Sequence, residues 1–335
     1  PERAAESLES KYKKVYVACP SFIKTGGPEL LHQLVYWLNH YFGNAVIAYL
    51  DYGEEKRAKV PFSHPEFFHY VCGSAELFEE IEDSPENVLV VPEGWSLTCT
   101  KVKNMKQMFW WLSVDNFIAS VTYGGQDDQE NTKKVLNMLE NVIDLHLVQS
   151  EYAGDYIRKN GFPDDRIEYL SDYINQTYLD NADTALECPK EDIVLYNPKK
   201  GFDFVEKVMK VSPDLQWRAI EKMTTIQVGE LMRKAKVYID FGNHPGKDRI
   251  PREAAVSGCI VITGRKGSAA YFEDVPIPEK YKIAEEEGSA EKVAHVIRQS
   301  IKDYDTLIHD FDDYRARILS EKERFIKDAI RIFGK

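Results

Sequence analysis

The densest chemistry in the chain lies in Gly242-Asn243-His244-Pro245-Gly246-Lys247-Asp248-Arg249-Ile250-Pro251-Arg252-Glu253-Ala254-Ala255-Val256-Ser257-Gly258, followed by the apolar run Cys259 to Thr263. Pro251 suits the first turn of a helix, where a missing N–H costs nothing, and Gly258 suits the left-handed position after the helix end. A two-turn helix starting there presents free N–H groups and a partial positive charge, with cationic side chains beside it. That is the chemistry of an anion site, most often for phosphate. The competing reading is a surface loop whose charges pair with one another, with Arg252 held by a neighbouring acid. His244 is of a type that donates to a phosphate or a sugar hydroxyl, although a lone histidine also serves structural ends.

The elements that must position this stretch read as an α/β alternation. Val15 to Cys19 is a buried-type strand, Pro20 to Pro28 a loop holding Gly26 and Gly27, and Leu30, Leu31, Leu34, Val35 and Leu38 follow at helical spacing. The dinucleotide pattern Gly-x-Gly-x-x-Gly is absent, so no NAD site is read there. Further strands are expected over Ala45 to Leu50, Val88 to Val91, Met108 to Val114, Leu145 to Gln149 and Ile167 to Leu170, with helices over Thr132 to Leu139 and Tyr152 to Lys159. Asn175 to Asp192 has no clear period and is read as a linker. A second alternation then begins with Ile193 to Tyr196, the loop carrying Lys199, Lys200 and Gly201, and a helix through Phe204, Val205 and Val208. Leu215 to Ile220 and Val237 to Phe241 are strands, and Thr225 to Ala235 is a helix with Thr224 or Thr225 as its cap. Helices over Ala290 to Lys302 and Tyr314 to Phe333 end the chain.

Such alternation means parallel sheets covered by helices, with ligands at the carboxyl ends of the strands. The polar residues there in the first half are Glu93, Ser113, Asp115, Asn116 and Ser150; for Ser150 and Asn116 a capping or turn role is the better reading. At 335 residues the chain suits two domains: residues 1–180 and 190–312, with 313–335 as a final helix. A net charge of -12 argues against general affinity for nucleic acid, whose phosphates demand a basic face. No apolar run approaches the roughly 20 residues that span a bilayer. Five scattered cysteines without a Cys-x-x-Cys pair favour free thiols in a reducing compartment over disulfides or zinc. Because the chain opens on Pro-Glu-Arg without a methionine, a processed product or a domain cut from a longer polypeptide is an open expectation.

Pro251 to Ile262 resembles the Pro-x-Glu-Ala-x-x-x-Gly-x-Pro-Val-Val stretch of the group 1, or family 4, glycosyltransferases of the GT-B fold. Lys200-Gly201-Phe202-Asp203 resembles their Lys-Gly-x-Asp, Thr25-Gly26-Gly27-Pro28-Glu29 their acceptor-side glycine loop, and Val148-Gln149-Ser150-Glu151-Tyr152 their Ser-x-Tyr/Phe stretch. The resemblance implies two Rossmann-like domains facing across a cleft, with the last helix crossing back to the first. The implied activity is sugar transfer from a nucleotide-sugar donor to a glycan, glycolipid or glycoprotein acceptor, in synthesis of a surface polysaccharide or glycoconjugate. By the same resemblance Glu253 accepts hydrogen bonds from the donor ribose, and Lys199 or Lys200 with Arg249 neutralises the departing diphosphate. The N–H groups of Gly267, Ser268 and Ala269 assist, and Gly26 and Gly27 line the ligand loop.

The family usually carries a second Glu eight positions before the one matching Glu253, and here that position is Pro245. The stereochemical outcome is therefore left open. If the reaction inverts, Asp115 or Glu93 is the candidate base. No metal motif is evident and the fold that the resemblance implies generally works without one; no cofactor is expected, and the cysteines suit a cytoplasmic enzyme, with room for peripheral association with the membrane surface or with neighbouring domains. Two other readings are carried: a nucleotide-sugar epimerase, and a non-catalytic glycosyltransferase-like subunit.

Overall fold

The computed structural model describes residues 8–50, 63–71, 74–122 and 128–335. They form two compact units, residues 1–172 with 323–335, and residues 173–322.

The first unit is built on a seven-stranded sheet in the order β3-β2-β1-β4-β5-β6-β7. Its strands are β1 (Val15–Pro20), β2 (Ala45–Leu50), β3 (Ala75–Leu77), β4 (Val88–Pro92), β5 (Lys106–Trp111), β6 (Leu145–Val148) and β7 (Ile167–Tyr169), and every pairing is parallel. Parallel strands covered on both faces lose the polar alternation, which is why β1 and β4 read as continuous apolar runs. Tyr16, Leu89, Phe109 and Trp111 pack on one side with Phe117 and Ile157. Trp110 points the other way and stacks on Phe325, at 6.4 Å and 17°. The strand order reverses between β1 and β4, a topological switch point.

The second unit has four parallel strands in the order β11-β10-β8-β9, namely β8 (Glu191–Tyr196), β9 (Gln216–Ala219), β10 (Ala235–Asp240) and β11 (Ile260–Thr263). Helix Phe202–Val211, which follows β8, packs with Ser289–Lys302; Arg249–Val256, which follows β10, packs with Thr225–Lys234 and Asp312–Leu319. Right-handed crossovers send these two groups to opposite faces. The switch point of this sheet therefore lies between adjacent β8 and β10. Thr224 caps its helix through a reciprocal pair, its Oγ1 accepting from Gln227 N–H at 3.3 Å while Gln227 Oε1 accepts from Thr224 N–H at 2.9 Å.

Several stretches differ from the sequence reading: the strand expected over Met108 to Val114 ends at Trp111 and Val114 opens a helix, Val114–Val121, capped by Ser113, and strand Ala75–Leu77 was not expected. Residues 175–192 hold a short helix, Gln176–Asp180, capped by Asn175, and its Tyr178 is buried in the second core. The single helix expected over Tyr314 to Phe333 is two, Asp312–Leu319 and Glu321–Phe333, broken at Ser320. Ser320 Oγ donates to the Arg317 carbonyl at 2.8 Å, and Glu321 is drawn into ion pairs described below. The break lets residues 323–335 join the first unit, where Arg331 pairs with Glu168. Among the described residues no helix is long and apolar enough to cross a membrane. Cys19, Cys99, Cys188 and Cys259 are free thiols; Cys72 lies outside the described residues.

Candidate functional site at the switch point of the second sheet

Three loops meet beyond the carboxyl ends of β8, β10 and β11, and backbone touches backbone where they do. Gly201 (φ +60°) opens the helix after β8, and a Cβ there would sit 2.2 Å from the Phe241 carbonyl oxygen and 2.6 Å from Gly242 N. Gly267 (φ +58°) lies against the next loop, where a Cβ would come within 2.0 Å of the His244 carbonyl oxygen. Only glycine permits both the left-handed backbone and the approach.

Lys200 is fixed by that contact. Its Nζ lies 2.8 Å from Asp240 Oδ1 and also binds Asp248 Oδ2. Burial opposes the ammonium, but the two carboxylates outweigh it and raise the Lys200 pKa above its ordinary value. Asp240, the last residue of β10, also accepts a hydrogen bond from Tyr238 Oη at 2.8 Å. His244 is fully buried behind the cluster, with Nε2 3.4 Å from Asp240 Oδ1 and Nδ1 3.3 Å from Asp248 Oδ2. Asp240, His244 and Asp248 offer ligand atoms within 4.8 Å of one another, the donor set of a cation site, and the Lys200 ammonium is the cation among them.

Helix Arg249–Val256 begins with Arg249, and Glu253, buried, stands one turn further along. Arg252 is 1% exposed and structural. It donates to Glu321 at 2.7 Å, to the Asp248 carbonyl at 3.1 Å and to the Lys247 carbonyl at 3.0 Å. Lys247 pairs with the other oxygen of Glu321, at 2.7 Å. The loop before the helix is thus braced from behind by a buried ionic group, and Arg252 takes the ion-pair role weighed for it from the sequence.

The remaining donor-side residues fall around this centre unequally. Ser268 N–H donates to the His244 carbonyl at 2.9 Å and its Oγ to the Gly246 carbonyl at 2.5 Å, so its N–H is committed to holding the loops together rather than to a ligand. Ala269 is buried beside it. Lys199 is exposed, its N–H donating to Asn197 Oδ1 at 3.0 Å in a turn.

In the first unit, Gly26 and Gly27 start helix Gly26–Tyr41, and neither has a positive φ. Among the described residues a Cβ at Gly27 would make only ordinary contact with Leu112, at 3.7 Å, so Gly27 is under no demand like that at Gly201. Ser113 and Ser150 are N-caps, accepting from Asn116 N–H and Ala153 N–H, each at 3.1 Å. Asp115 accepts from Tyr152 Oη at 3.0 Å. Glu93 follows β4 at the first sheet's switch point and is buried, with Oε2 accepting from Leu112 N–H at 3.1 Å.

Burial, opposed by hydrogen bonds from the backbone and Asn116, pushes the Glu93 carboxyl up to about 7. The folded protein then holds a proton that the unfolded chain gives up. The associated stability is present below about pH 4.5 and lost as pH rises through about 7, a difference of roughly 2–4 kcal/mol. Urea titrations at pH 5 and pH 8.5 are expected to show this loss in the wild type and a much smaller one in Glu93→Gln.

Asp240, Asp248 and Tyr238 were not singled out from the sequence. The one available signal was position, Asp240 at the carboxyl end of a central strand and Asp248 just ahead of a helix.

No protein-family profile and no curated protein sequence matches the chain. Solved structures do. Anabaena HepE in complex with UDP-glucose is 11% identical, with TM-score 0.61 over 95% of this chain and 98% of that one. Sucrose-phosphate synthase from Thermosynechococcus elongatus is 13% identical, with TM-score 0.58 over 96% of this chain and 95% of that one. The catalytic domain of starch synthase IV from Arabidopsis thaliana, bound to ADP and acarbose, is 9% identical, with TM-score 0.52 over 96% and 100%. At such identities the likeness is one of architecture, and the chain has the GT-B fold of these glycosyltransferases.

Proposed function

We propose that the protein is a glycosyltransferase that takes a sugar from a nucleotide-sugar donor and passes it to a glycan, glycolipid or glycoprotein acceptor. The observation that carries this reading is the β8/β10 switch point, where a glycine-dependent backbone contact gathers Lys200 and the N-terminus of the helix bearing Arg249 and Glu253. Sheets of this kind bind ligands at such a point, and a helix N-terminus with cations favours phosphate. Support comes from the solved structures of the same fold, one in complex with UDP-glucose and one bound to ADP and acarbose.

In this reading Arg249 and Lys200, with Lys199 at the rim, offset the charge of the leaving diphosphate, and the N–H groups of Gly267 and Ala269 assist. Glu253 receives the ribose hydroxyls. His244 is a positioning residue that backs Asp240 and Asp248. Glu93, whose pKa suits proton transfer near neutrality, or Asp115 serves as base toward the acceptor. The Lys200 ammonium supplies positive charge without a metal. A role in surface polysaccharide synthesis, in the cytoplasm or at its membrane surface, completes the proposal.

Arg249→Ala removes a charge-assisted contact worth about 1.5–3 kcal/mol, so donor affinity or turnover is expected to fall roughly 10- to 150-fold. Unchanged kinetics would count against its phosphate role. In calorimetry Glu253→Ala is expected to weaken nucleotides more than inorganic pyrophosphate; equal losses would remove the ribose assignment. A mass balance on donor and acceptor separates transfer from epimerisation, which consumes no acceptor, and from binding alone, which releases no sugar.

A further inference from the structure

We propose that Asp248 is a charge gate on the donor site: it holds the Lys200 ammonium and must release it before an anionic phosphate is bound. The proposal rests on the donor-site reading above and adds to it a residue that sets affinity for phosphate.

The argument starts from an anomaly at the helix start. Asp248 occupies the N-cap position of helix Arg249–Val256, yet its side chain makes no capping hydrogen bond. An N-cap aspartate ordinarily accepts from the N–H of the second or third helical residue. Here the third is Pro251, which has no N–H to give. The second, Ile250, has an N–H, but the Asp248 side chain makes no capping bond with it either; the carboxylate turns instead to Lys200.

The two carboxylates on Lys200 are not equivalent. Asp240 ends a central strand, its side chain is 1% exposed, and Tyr238 and His244 both contact it. It is built in. Asp248 lies in the loop, its side chain is 21% exposed, and of its polar contacts Lys200 is the shortest, with His244 Nδ1 at 3.3 Å. Lys247 and Arg252, the cations nearest in sequence on either side apart from Arg249, are directed at Glu321. One ammonium therefore faces two carboxylates, and an arriving phosphate meets a cation already outnumbered. Releasing Asp248 leaves Lys200 balanced by Asp240 alone, with the helix N-terminus uncovered for the anion.

The test is calorimetric titration of inorganic pyrophosphate, and separately of uridine diphosphate, into the intact chain. Asp248→Asn removes the charge, and Asp248→Ser removes it while keeping a good capping residue, so the pair guards against a folding defect in either. Both are expected to bind pyrophosphate at least about tenfold tighter than the wild type, a change of about 1.4 kcal/mol. The double variant Lys200→Met/Asp248→Asn is expected to bind no tighter than the wild type, because the gain runs through Lys200. Equal or weaker binding by both single variants overturns the gate, as does an undiminished gain in the double variant. If the wild type binds a nucleoside diphosphate and neutral residues at 248 change nothing, the gate alone fails. If neither wild type nor variants bind pyrophosphate, the phosphate site on which both the gate and the donor reading rest falls.

Discussion

Lys200→Met is expected to destabilise the protein by about 3–5 kcal/mol, the usual penalty for leaving buried charge without its partner. The methionine fills a similar volume, so packing is largely kept. What changes is the charge: Asp240 and Asp248 would face one another across the space that the ammonium held, with His244 behind them. Urea titration at pH 7 measures the loss. Adding Asp248→Asn removes one of the two carboxylates and is expected to restore a good part of it, a non-additivity that a double-mutant cycle reads directly. Simple addition of the two effects would show that the three groups are not energetically linked. Lys200→Met is also expected to reduce phosphate binding, since it removes the half-buried ammonium that sits at the switch point between Asp240 and Asp248.

Gly201→Ala is the second large effect. The alanine methyl would lie 2.2 Å from the Phe241 carbonyl oxygen and 2.6 Å from Gly242 N, both backbone atoms that cannot swing aside. The left-handed conformation alone costs a non-glycine residue roughly 1–2 kcal/mol. Because the loops must also separate, a total loss of at least about 3 kcal/mol is expected, in the range of strained-backbone mutations. The separation moves Lys200 away from Asp240, so donor binding should fall with stability. Gly27→Ala is the control, since among the described residues its methyl meets only the Leu112 side chain, at 3.7 Å. A denaturation midpoint for Gly201→Ala no lower than that of Gly27→Ala would contradict the packing argument.

These contrasts show which parts of the molecule were legible in the amino-acid order. β1, β2 and β4 were, because parallel strands buried on both faces are written as uninterrupted apolar runs. A threonine cap at Thr224 or Thr225 was legible because its chemistry is local, and the structure places it at Thr224. The break at Ser320 was not: serine is only a mild interruption, and apolar spacing continues through Ile318 to Phe325, while the force that turns the chain includes a pairing of Glu321 with Arg252, 69 residues earlier. Thr25-Gly26-Gly27 and Lys200-Gly201 look alike as loops. Gly201 is pressed against another backbone, whereas Gly27 meets, among the described residues, a Leu112 side chain at ordinary distance, and a sequence does not show what lies opposite a glycine. Lys200 was expected to meet phosphate directly; that it is shared by Asp240 and Asp248, across 40 and 48 residues of chain, is a property of the fold. The burial that lifts Glu93 to about 7 is likewise tertiary, since nothing around it in the sequence distinguishes it from an exposed turn acid.

The central claim is that the second unit binds a nucleotide-sugar donor at the β8/β10 switch point. Its most direct test is a thermal-shift titration with uridine, guanosine, thymidine, cytidine and adenosine diphosphate sugars, comparing wild type with Arg249→Ala. A ligand at about 100 times its dissociation constant adds about 2.7 kcal/mol of stability, a rise of several degrees. One nucleotide class is expected to stabilise the wild type to that extent and Arg249→Ala far less at the same concentration. No shift with any of the five, or equal shifts in both proteins, would contradict the account.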